Sequence, residues 1–209
     1  MGKRKNRKRD VRWAVITLTI MALLALAGMD GLMPRLRVRI LTLAEKPAWI
    51  QEEIIDVDGD SRSGDKLEGI RDVVIHYVGN PGTSAMQNRN WYANPESEVS
   101  SHFLVGLEGE VIQCLPLDEK SAASNHRNRD TISIEVCHPD ESGKFSEETY
   151  EALVELTAWL LRSAWLGPEN IIRHYDVTGK NCPKYFVENE YSWQQFRVDV
   201  AAAMEGVKE

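Results

Sequence analysis

Residues Arg71–Val78 read RDVVIHYV, and this stretch decides the fold. The run is apolar and rich in β-branched residues, and the sequence GNPG at residues 79–82 ends it, so it predicts a buried β-strand. His76 lies near the carboxyl end of the predicted strand. Because α/β proteins place their chemistry at the carboxyl ends of central strands, His76 is a candidate functional residue.

The sequence around this strand alternates between strand and helix patterns. Apolar residues recur at helical spacing over residues 146–165, and Gly167-Pro168 ends that helix. Strands mixed with helices in this way predict an α/β fold, with a central mixed β-sheet flanked by helices. The other predicted elements are a helix over 84–94, a hairpin of strands 101–107 and 110–115, strands over 131–137 and 171–172, and a final helix over 192–204 capped by Ser192 and Gln195.

The predicted strand Thr131–Cys137, TISIEVC, alternates between two kinds of side chain. Its isoleucines and valine share one face, whereas Glu135 lies with a serine and a cysteine on the less apolar face. A carboxylate in that position is a candidate catalytic base. The alternative is that this face belongs to a solvated strand at the edge of the sheet.

The amino-terminal region predicts a targeting or anchoring segment. Residues 1–12 carry seven Lys or Arg and one Asp, and Ala14–Met29 follows with sixteen uncharged residues. This length suits either a transmembrane anchor or a signal peptide, and the preceding positive charge predicts a cytoplasmic amino terminus and an exported remainder. A core helix is the alternative. We therefore expect a basic region at 1–13, an anchor or signal peptide at 14–29, an irregular linker at 30–68 and the main domain at 69–209.

Charge and cysteine content limit the function classes. Beyond residue 12 the chain holds 18 basic and 31 acidic residues, so nucleic acid is not an expected partner, because phosphate binding needs clustered Lys and Arg. The three cysteines of an exported protein cannot all pair, which leaves a thiol for another use. Cys114 and Cys137 could be core residues or form one disulfide. We expect a monomer.

The stretch Arg173–Pro183, RHYDVTGKNCP, holds a histidine, a lysine and a cysteine within nine positions. His174 and Cys182, joined by His76, would give three protein ligands and leave a fourth position open, as in catalytic zinc sites. Lys180 is then a candidate cation that stabilises an oxyanion, and Glu135 is the candidate base. An ion, a base and a cation together predict hydrolysis of an amide.

Two other chemistries could use the same residues. Blue copper sites also take two histidines and a cysteine but add an axial methionine, and none occurs between Met86 and Met204, which disfavours copper. Alternatively, Cys182 could be a nucleophile with His174 as its base and no metal. Such an enzyme would resist chelators and would be inactivated by thiol alkylation.

His76 after an apolar strand, Glu135 in ISIEV and the motif RHYDVTGKNCP together resemble the type 2 N-acetylmuramoyl-L-alanine amidases, which share the peptidoglycan-recognition-protein fold. The resemblance runs from about residue 72 to the carboxyl terminus. It implies zinc-dependent cleavage of the amide between N-acetylmuramic acid and L-alanine in peptidoglycan. The family's zinc ligands fall on His76, His174 and Cys182, its catalytic glutamate on Glu135, and its catalytic lysine on Lys180.

The resemblance also bears on residues outside the metal site. Some members carry a catalytic tyrosine where this chain has Ser101, so the hypothesis relies more heavily on Glu135. We predict substrate contacts by Asn125 and His126, and by Trp91 if it lines a groove; packing of Trp91 against the sheet is the alternative. His102 is expected to be structural.

A second class of function shares the same fold. Peptidoglycan-binding modules of this type recognise wall fragments without hydrolysing them, and they typically lack the cysteine ligand that Cys182 supplies here. A membrane-anchored structural protein with a degenerate site is a third hypothesis, which predicts wall binding without zinc. The enzyme hypothesis is the one that uses all of the candidate residues. Such an enzyme would act outside the cytoplasm, anchored to the membrane or secreted to the cell wall.

Overall fold

A computed structural model describes residues 31–57, 60–94 and 96–206 of the chain. These residues form one six-stranded sheet in the order β1-β4-β3-β5-β2-β6. The β3–β4 pair is antiparallel, and all other neighbouring pairs are parallel. The strands are β1 (Ile50–Glu52), β2 (Asp72–Tyr77), β3 (Phe103–Val105), β4 (Val111–Gln113), β5 (Thr131–Val136) and β6 (Ile171–Arg173).

Helices cover both faces of the sheet. The larger apolar cluster includes residues of α3 and α6 together with Ile132, Ile134 and Val136 of β5. A smaller cluster includes Ala85 and Tyr92 of α2 on the other face. The predicted central mixed sheet flanked by helices is therefore confirmed. The helices are α1 (residues 31–43), α2 (Ala85–Tyr92), α3 (Glu147–Ser163), α4 (His174–Thr178), α5 (Lys184–Glu188) and α6 (Glu190–Glu205).

The interior position of β5 decides between the two interpretations of its alternating pattern. Because β5 lies between β3 and β2, the proposed solvated edge strand is wrong. Ser133 and Cys137 are fully buried on the face that carries Glu135. The polar side chains of that face therefore lie inside the protein, where each needs a hydrogen-bonding or electrostatic role.

The described residues of the expected linker at 30–68 include a helix and a strand. Residues 31–43 are helical, with Leu41 buried in the larger cluster, and Ile50–Glu52 adds an edge strand parallel to β4. The backbone N–H of Ile70 donates to the carbonyl of Pro34 at 2.9 Å, so α1 begins beside the residues that lead into β2. Burial of Leu41 and pairing of β1 supply the stabilisation that the local sequence pattern does not reveal.

The beginning of α6 also differs from the sequence prediction. The helix starts at Glu190, so Ser192 lies inside it and does not form the predicted cap. Glu190 accepts a hydrogen bond from the Arg173 guanidinium at 2.9 Å, a tertiary contact that favours the earlier start. Among the described residues, no helix is long and apolar enough to cross a membrane. The predicted anchor or signal peptide at 14–29 lies outside those residues.

Candidate active site

Strand register brings three candidate residues to the carboxyl edge of the sheet. His76 of β2 is the Cα partner of Glu135 in β5, and the two strands are parallel. On the other side of β2, Ile75 pairs with Arg173, so His174 follows directly beside His76. The two imidazole ring centroids lie 4.6 Å apart. Neighbouring parallel strands thus place residues that are distant in sequence within one small volume.

A tight reversal of the chain adds Cys182 to the two histidines. The single turn of α4 ends at Gly179, whose φ of +79° is in the left-handed region that glycine adopts without steric cost. The N–H of Tyr175 then donates to the carbonyl of Cys182 at 2.9 Å. Arg173 fixes the base of this turn through hydrogen bonds to Asp176 and to the carbonyl of Phe186.

The three side chains present their ligand atoms to one point. The Nδ1 atoms of His76 and His174 are 3.1 Å apart, and Sγ of Cys182 lies 3.9 Å from Nδ1 of His76. All three residues are buried, and their ligand atoms lie within 4.8 Å of one another. Tetrahedral zinc with ordinary bond lengths needs N–N and N–S separations of about 3.3 and 3.6 Å. The donor set therefore fits zinc in its chemistry, and the two separations that involve His76 lie within about 0.3 Å of these values.

Burial sets the protonation of these ligands. It lowers the pKa of His76 well below its usual range, with further contributions from His174 and Lys180, and it also lowers the pKa of His174. Both imidazoles are thus held neutral, as metal binding requires. In the metal-free protein, burial raises the pKa of the Cys182 thiol to about 12, which the Tyr77 amide and Lys180 partly oppose.

Glu135 is poised beside the three ligands without being one of them. Its Oε1 lies 3.9 Å from Nδ1 of His76, and Oε2 is buried with no hydrogen-bond partner among the described residues. Burial raises the pKa of this carboxyl to about 8, and the nearby Lys180 charge opposes the rise. A carboxyl group that titrates near neutral pH and has an oxygen without a partner is suited to exchange a proton with a bound molecule.

Lys180 is exposed at the rim of the site. Its charge lowers the pKa of Glu135 and of both histidines, so it acts electrostatically on the whole cluster. Its backbone N–H donates to Thr178 Oγ1 at 3.2 Å, and its backbone carbonyl accepts from the N–H of Cys182 at 2.7 Å. An exposed ammonium held through its backbone is available to stabilise an oxyanion on a bound molecule.

Two residues that contact the histidines directly have a role that the sequence did not indicate. Nε2 of His76 is 3.1 Å from Oγ of Ser124, and Nε2 of His174 is 3.0 Å from Oδ1 of Asn125. Ser124 was not a candidate, and Asn125 was predicted to contact substrate. Ser124 and Asn125 directly precede His126, and this sequence gives only weak evidence that they contact the candidate metal-binding histidines.

A family model described as N-acetylmuramoyl-L-alanine amidase matches residues 66–185, which is more than half of the chain. The chain belongs to this family. The predicted resemblance to the type 2 N-acetylmuramoyl-L-alanine amidases is thus confirmed. All of the candidate metal and catalytic residues lie inside the matched range.

Two curated relatives of this chain come from Bacillus species. BlyA of Bacillus subtilis (strain 168) is 31% identical over 173 residues, which span 73% of this chain and 47% of the relative. CwlL of Bacillus licheniformis is 29% identical over 168 residues, spanning 72% and 46% respectively. Both carry the name N-acetylmuramoyl-L-alanine amidase. The chain spans about half the length of the curated relatives it matches.

Solved structures support the fold. The catalytic domain of XlyA superimposes with a TM-score of 0.64 at 24% identity, covering 72% of this chain and 98% of that domain. PlyL gives a TM-score of 0.66 at 21% identity, with coverage of 74% and 98%. At these identities the likeness shows a shared fold. The described residues thus include a counterpart of nearly the whole of each of these amidase-fold chains.

The other two predicted substrate contacts of this family member are exposed to solvent. His126 is exposed on the 3-10 helix Asn125–Arg129, and Trp91 is 49% exposed on α2 rather than packed on the sheet. Their contact with substrate stays a prediction. Ser101, where some members carry a tyrosine, is buried and donates from Oγ to the carbonyl of Phe103 at 2.8 Å.

His102 is fully buried in a hydrogen-bond network that explains its expected structural role. The backbone N–H of Ser133 donates to Nδ1 at 3.1 Å, so Nε2 carries the proton and donates to the carbonyl of Glu119 at 2.9 Å. Burial lowers the pKa of His102 from 6.5 to about 4. Protonation of Nδ1 would also remove the lone pair that accepts from the Ser133 N–H and would place two N–H groups against each other.

We expect this histidine to make stability depend on pH. Because the folded pKa lies below the unfolded value of 6.5, its contribution is present above pH 6.5 and is lost as the pH falls toward 4. The change between pH 7 and pH 4.5 amounts to about 2.5 kcal/mol. Urea unfolding at both pH values should therefore show a smaller acid-induced loss for His102→Asn than for the wild type. Equal losses in the two proteins would contradict this role.

Proposed function

We propose that this protein is a zinc-dependent N-acetylmuramoyl-L-alanine amidase that hydrolyses the amide between N-acetylmuramic acid and L-alanine in peptidoglycan. Family membership supports the reaction class. The observation that carries the proposal is the convergence at one sheet edge of two imidazole Nδ1 atoms, one thiol and one carboxyl oxygen that has no hydrogen-bond partner among the described residues. This arrangement would provide both a metal site and a base at that edge.

His76, His174 and Cys182 would hold the zinc ion. When bound, zinc supplies a positive charge that polarises a carbonyl and lowers the pKa of a water molecule. Because a thiolate ligand lowers the net charge of the site, the water would remain less acidic than in an all-histidine site and would benefit from a separate base. Glu135 lies close enough to the ligands to serve as that base.

In the proposed reaction, Glu135 accepts a proton from water as the water oxygen bonds to the amide carbonyl carbon. The Lys180 ammonium stabilises the negative charge that develops on the carbonyl oxygen. Glu135 then returns the proton to the amide nitrogen as the C–N bond breaks. The products are a free carboxylate on the N-acetylmuramic acid lactyl group and a stem peptide with a free L-alanine amino group.

We also propose that the protein acts outside the cytoplasm. The basic residues before Ala14–Met29 support export of the remainder, and peptidoglycan as substrate supports the same location. If the segment is not cleaved, it would attach the protein to the membrane. The excess of acidic over basic residues beyond residue 12 disfavours nucleic acid as a partner. We propose that the protein acts as a monomer.

Product analysis of purified cell wall tests the proposed function. Zinc content should be close to one ion per chain, and digestion should release stem peptides that begin with L-alanine. A chelator should abolish release, and added zinc should restore it. Chelator-resistant release that is lost on thiol alkylation would instead support Cys182 as a nucleophile, and wall binding without release would support the non-hydrolytic module.

A further inference from the structure

We propose that Ser124 and Asn125 are positioning residues that hold the two zinc-binding imidazoles in the tautomer and orientation that the metal needs. The inference rests on the proposed zinc site. It assigns a role to the loop that contains Ser124 and Asn125, which comes shortly before β5 in the chain. Asn125 was predicted to contact substrate, whereas Ser124 had no predicted role. The two residues are adjacent in sequence, and each contacts a different histidine.

The first observation is that the contacts fall on the opposite ring nitrogens from the ligand atoms. The Nδ1 atoms of His76 and His174 face each other at 3.1 Å, whereas their Nε2 atoms meet Ser124 Oγ at 3.1 Å and Asn125 Oδ1 at 3.0 Å. Each imidazole is thus held at Nε2, on the opposite side of the ring from its ligand atom. Rotation of either ring would break the contact at Nε2.

The second observation concerns the tautomer. A carboxamide oxygen only accepts hydrogen bonds, so Asn125 requires a proton on Nε2 of His174 and leaves the Nδ1 lone pair free. The Ser124 hydroxyl can accept from Nε2 of His76 in the same way. Since a metal binds the unprotonated nitrogen, the Asn125 contact favours the form of His174 that presents Nδ1 to zinc, and the Ser124 contact allows the same form of His76.

The third observation is that the loop holding the pair is itself braced. Oδ1 of Asn128 accepts hydrogen bonds from the backbone N–H groups of Ala123 and Ser124, at 3.1 and 2.5 Å. Ser124 is fully buried. Asn125 has a φ of +53°, a left-handed conformation that asparagine tolerates better than most residues. The oxygens that meet the histidines are therefore fixed before a metal binds.

Zinc affinity of full-length variants tests this role. Ser124→Ala removes the hydroxyl, and Asn125→Gly removes the carboxamide at a φ that glycine readily adopts. We expect each to weaken zinc binding by about 10–100-fold in competition with a chromophoric chelator. Asn125→Asp keeps an acceptor oxygen and should retain affinity close to that of the wild type. Ser63→Ala, a change at an exposed serine of another loop, is the matched control.

Independent readouts separate positioning from the alternatives. The visible spectrum of the cobalt-substituted protein should change in Ser124→Ala and Asn125→Gly but not in Ser63→Ala, because it reports ligand geometry. If Asn125 instead contacts substrate, Asn125→Gly will raise KM at saturating zinc while its zinc affinity stays at the wild-type value, and the inference is overturned. A wild-type protein that binds no zinc would overturn the proposed function as well, which distinguishes the two failures.

Discussion

Replacement of Glu135 by glutamine is expected to lower the rate of amide hydrolysis by about 10²–10⁴-fold, the usual contribution of a general base. Glutamine has nearly the same shape as glutamate, but its neutral carboxamide cannot act as a base near neutral pH. The side chain is not a metal ligand in the proposed site, so zinc affinity should change little. A large loss of rate with the metal retained would identify the carboxylate as the base.

The structure explains why this single carboxylate should matter so much. Glu135 is the register partner of His76, and its Oε2 has no hydrogen-bond partner among the described residues. With Ser101 at the position where some family members carry a tyrosine, no phenol from that residue can share the task. Lys180 can stabilise an oxyanion but, as an ammonium, cannot accept a proton.

The measurement is the initial rate of stem-peptide release from purified wall at saturating zinc, with bound metal determined on the same samples. Glu151→Gln, a change at an exposed glutamate of α3, is the control for the loss of one negative charge. A Glu135→Gln protein that retains wild-type rates would show that another group takes the proton.

Replacement of Cys182 by serine is expected to weaken zinc binding by more than about 100-fold, beyond the effect expected for residues that only orient ligands. A serine hydroxyl is a neutral, hard oxygen, whereas a thiolate is a charged, soft ligand suited to zinc. The site would keep two imidazoles with Nδ1 atoms 3.1 Å apart, too few to retain the metal tightly. Release of stem peptide should fall in parallel at limiting zinc.

Cys114→Ala provides the matched control, because Cys114 is also a buried thiol but lies in the smaller apolar cluster. Its zinc affinity should equal that of the wild type. The cysteine-nucleophile hypothesis makes the opposite prediction for Cys182→Ser, namely lost activity with unchanged metal binding. Measuring both quantities on the same variant therefore decides between the two mechanisms.

Much of this site could be predicted because its residues follow strong local patterns. The β-branched run around His76 and the alternation around Glu135 identify two central strands. Because these strands are parallel neighbours, their carboxyl ends lie at the same edge of the sheet. The residues from His174 to Cys182 form one helical turn that ends at Gly179, followed by a tight reversal of the chain. Local sequence therefore determined which side chains meet at the sheet edge.

The parts that were missed depend on contacts between distant residues. Strand β1 has only three residues and no distinctive alternation, and it exists because β4 offers a free edge. The contact of Ser124 with His76 depends on how a loop returns to the sheet, which no spacing reveals. Residues 31–43 were assigned to a linker that contains Pro34, Pro47 and a polar stretch at 56–66, although they form a helix that buries Leu41.

The position of α1 fixes its distance from the proposed site. Pro34 contacts Gly69 and Ile70 at the amino edge of the sheet, whereas His76 lies at the opposite edge. At about 3.3 Å per residue, the six steps along the chain from Ile70 to His76 separate the two edges by about 20 Å. A substrate bound at the proposed site would therefore lie about 20 Å from the point where α1 meets the sheet, with the full height of the sheet between them.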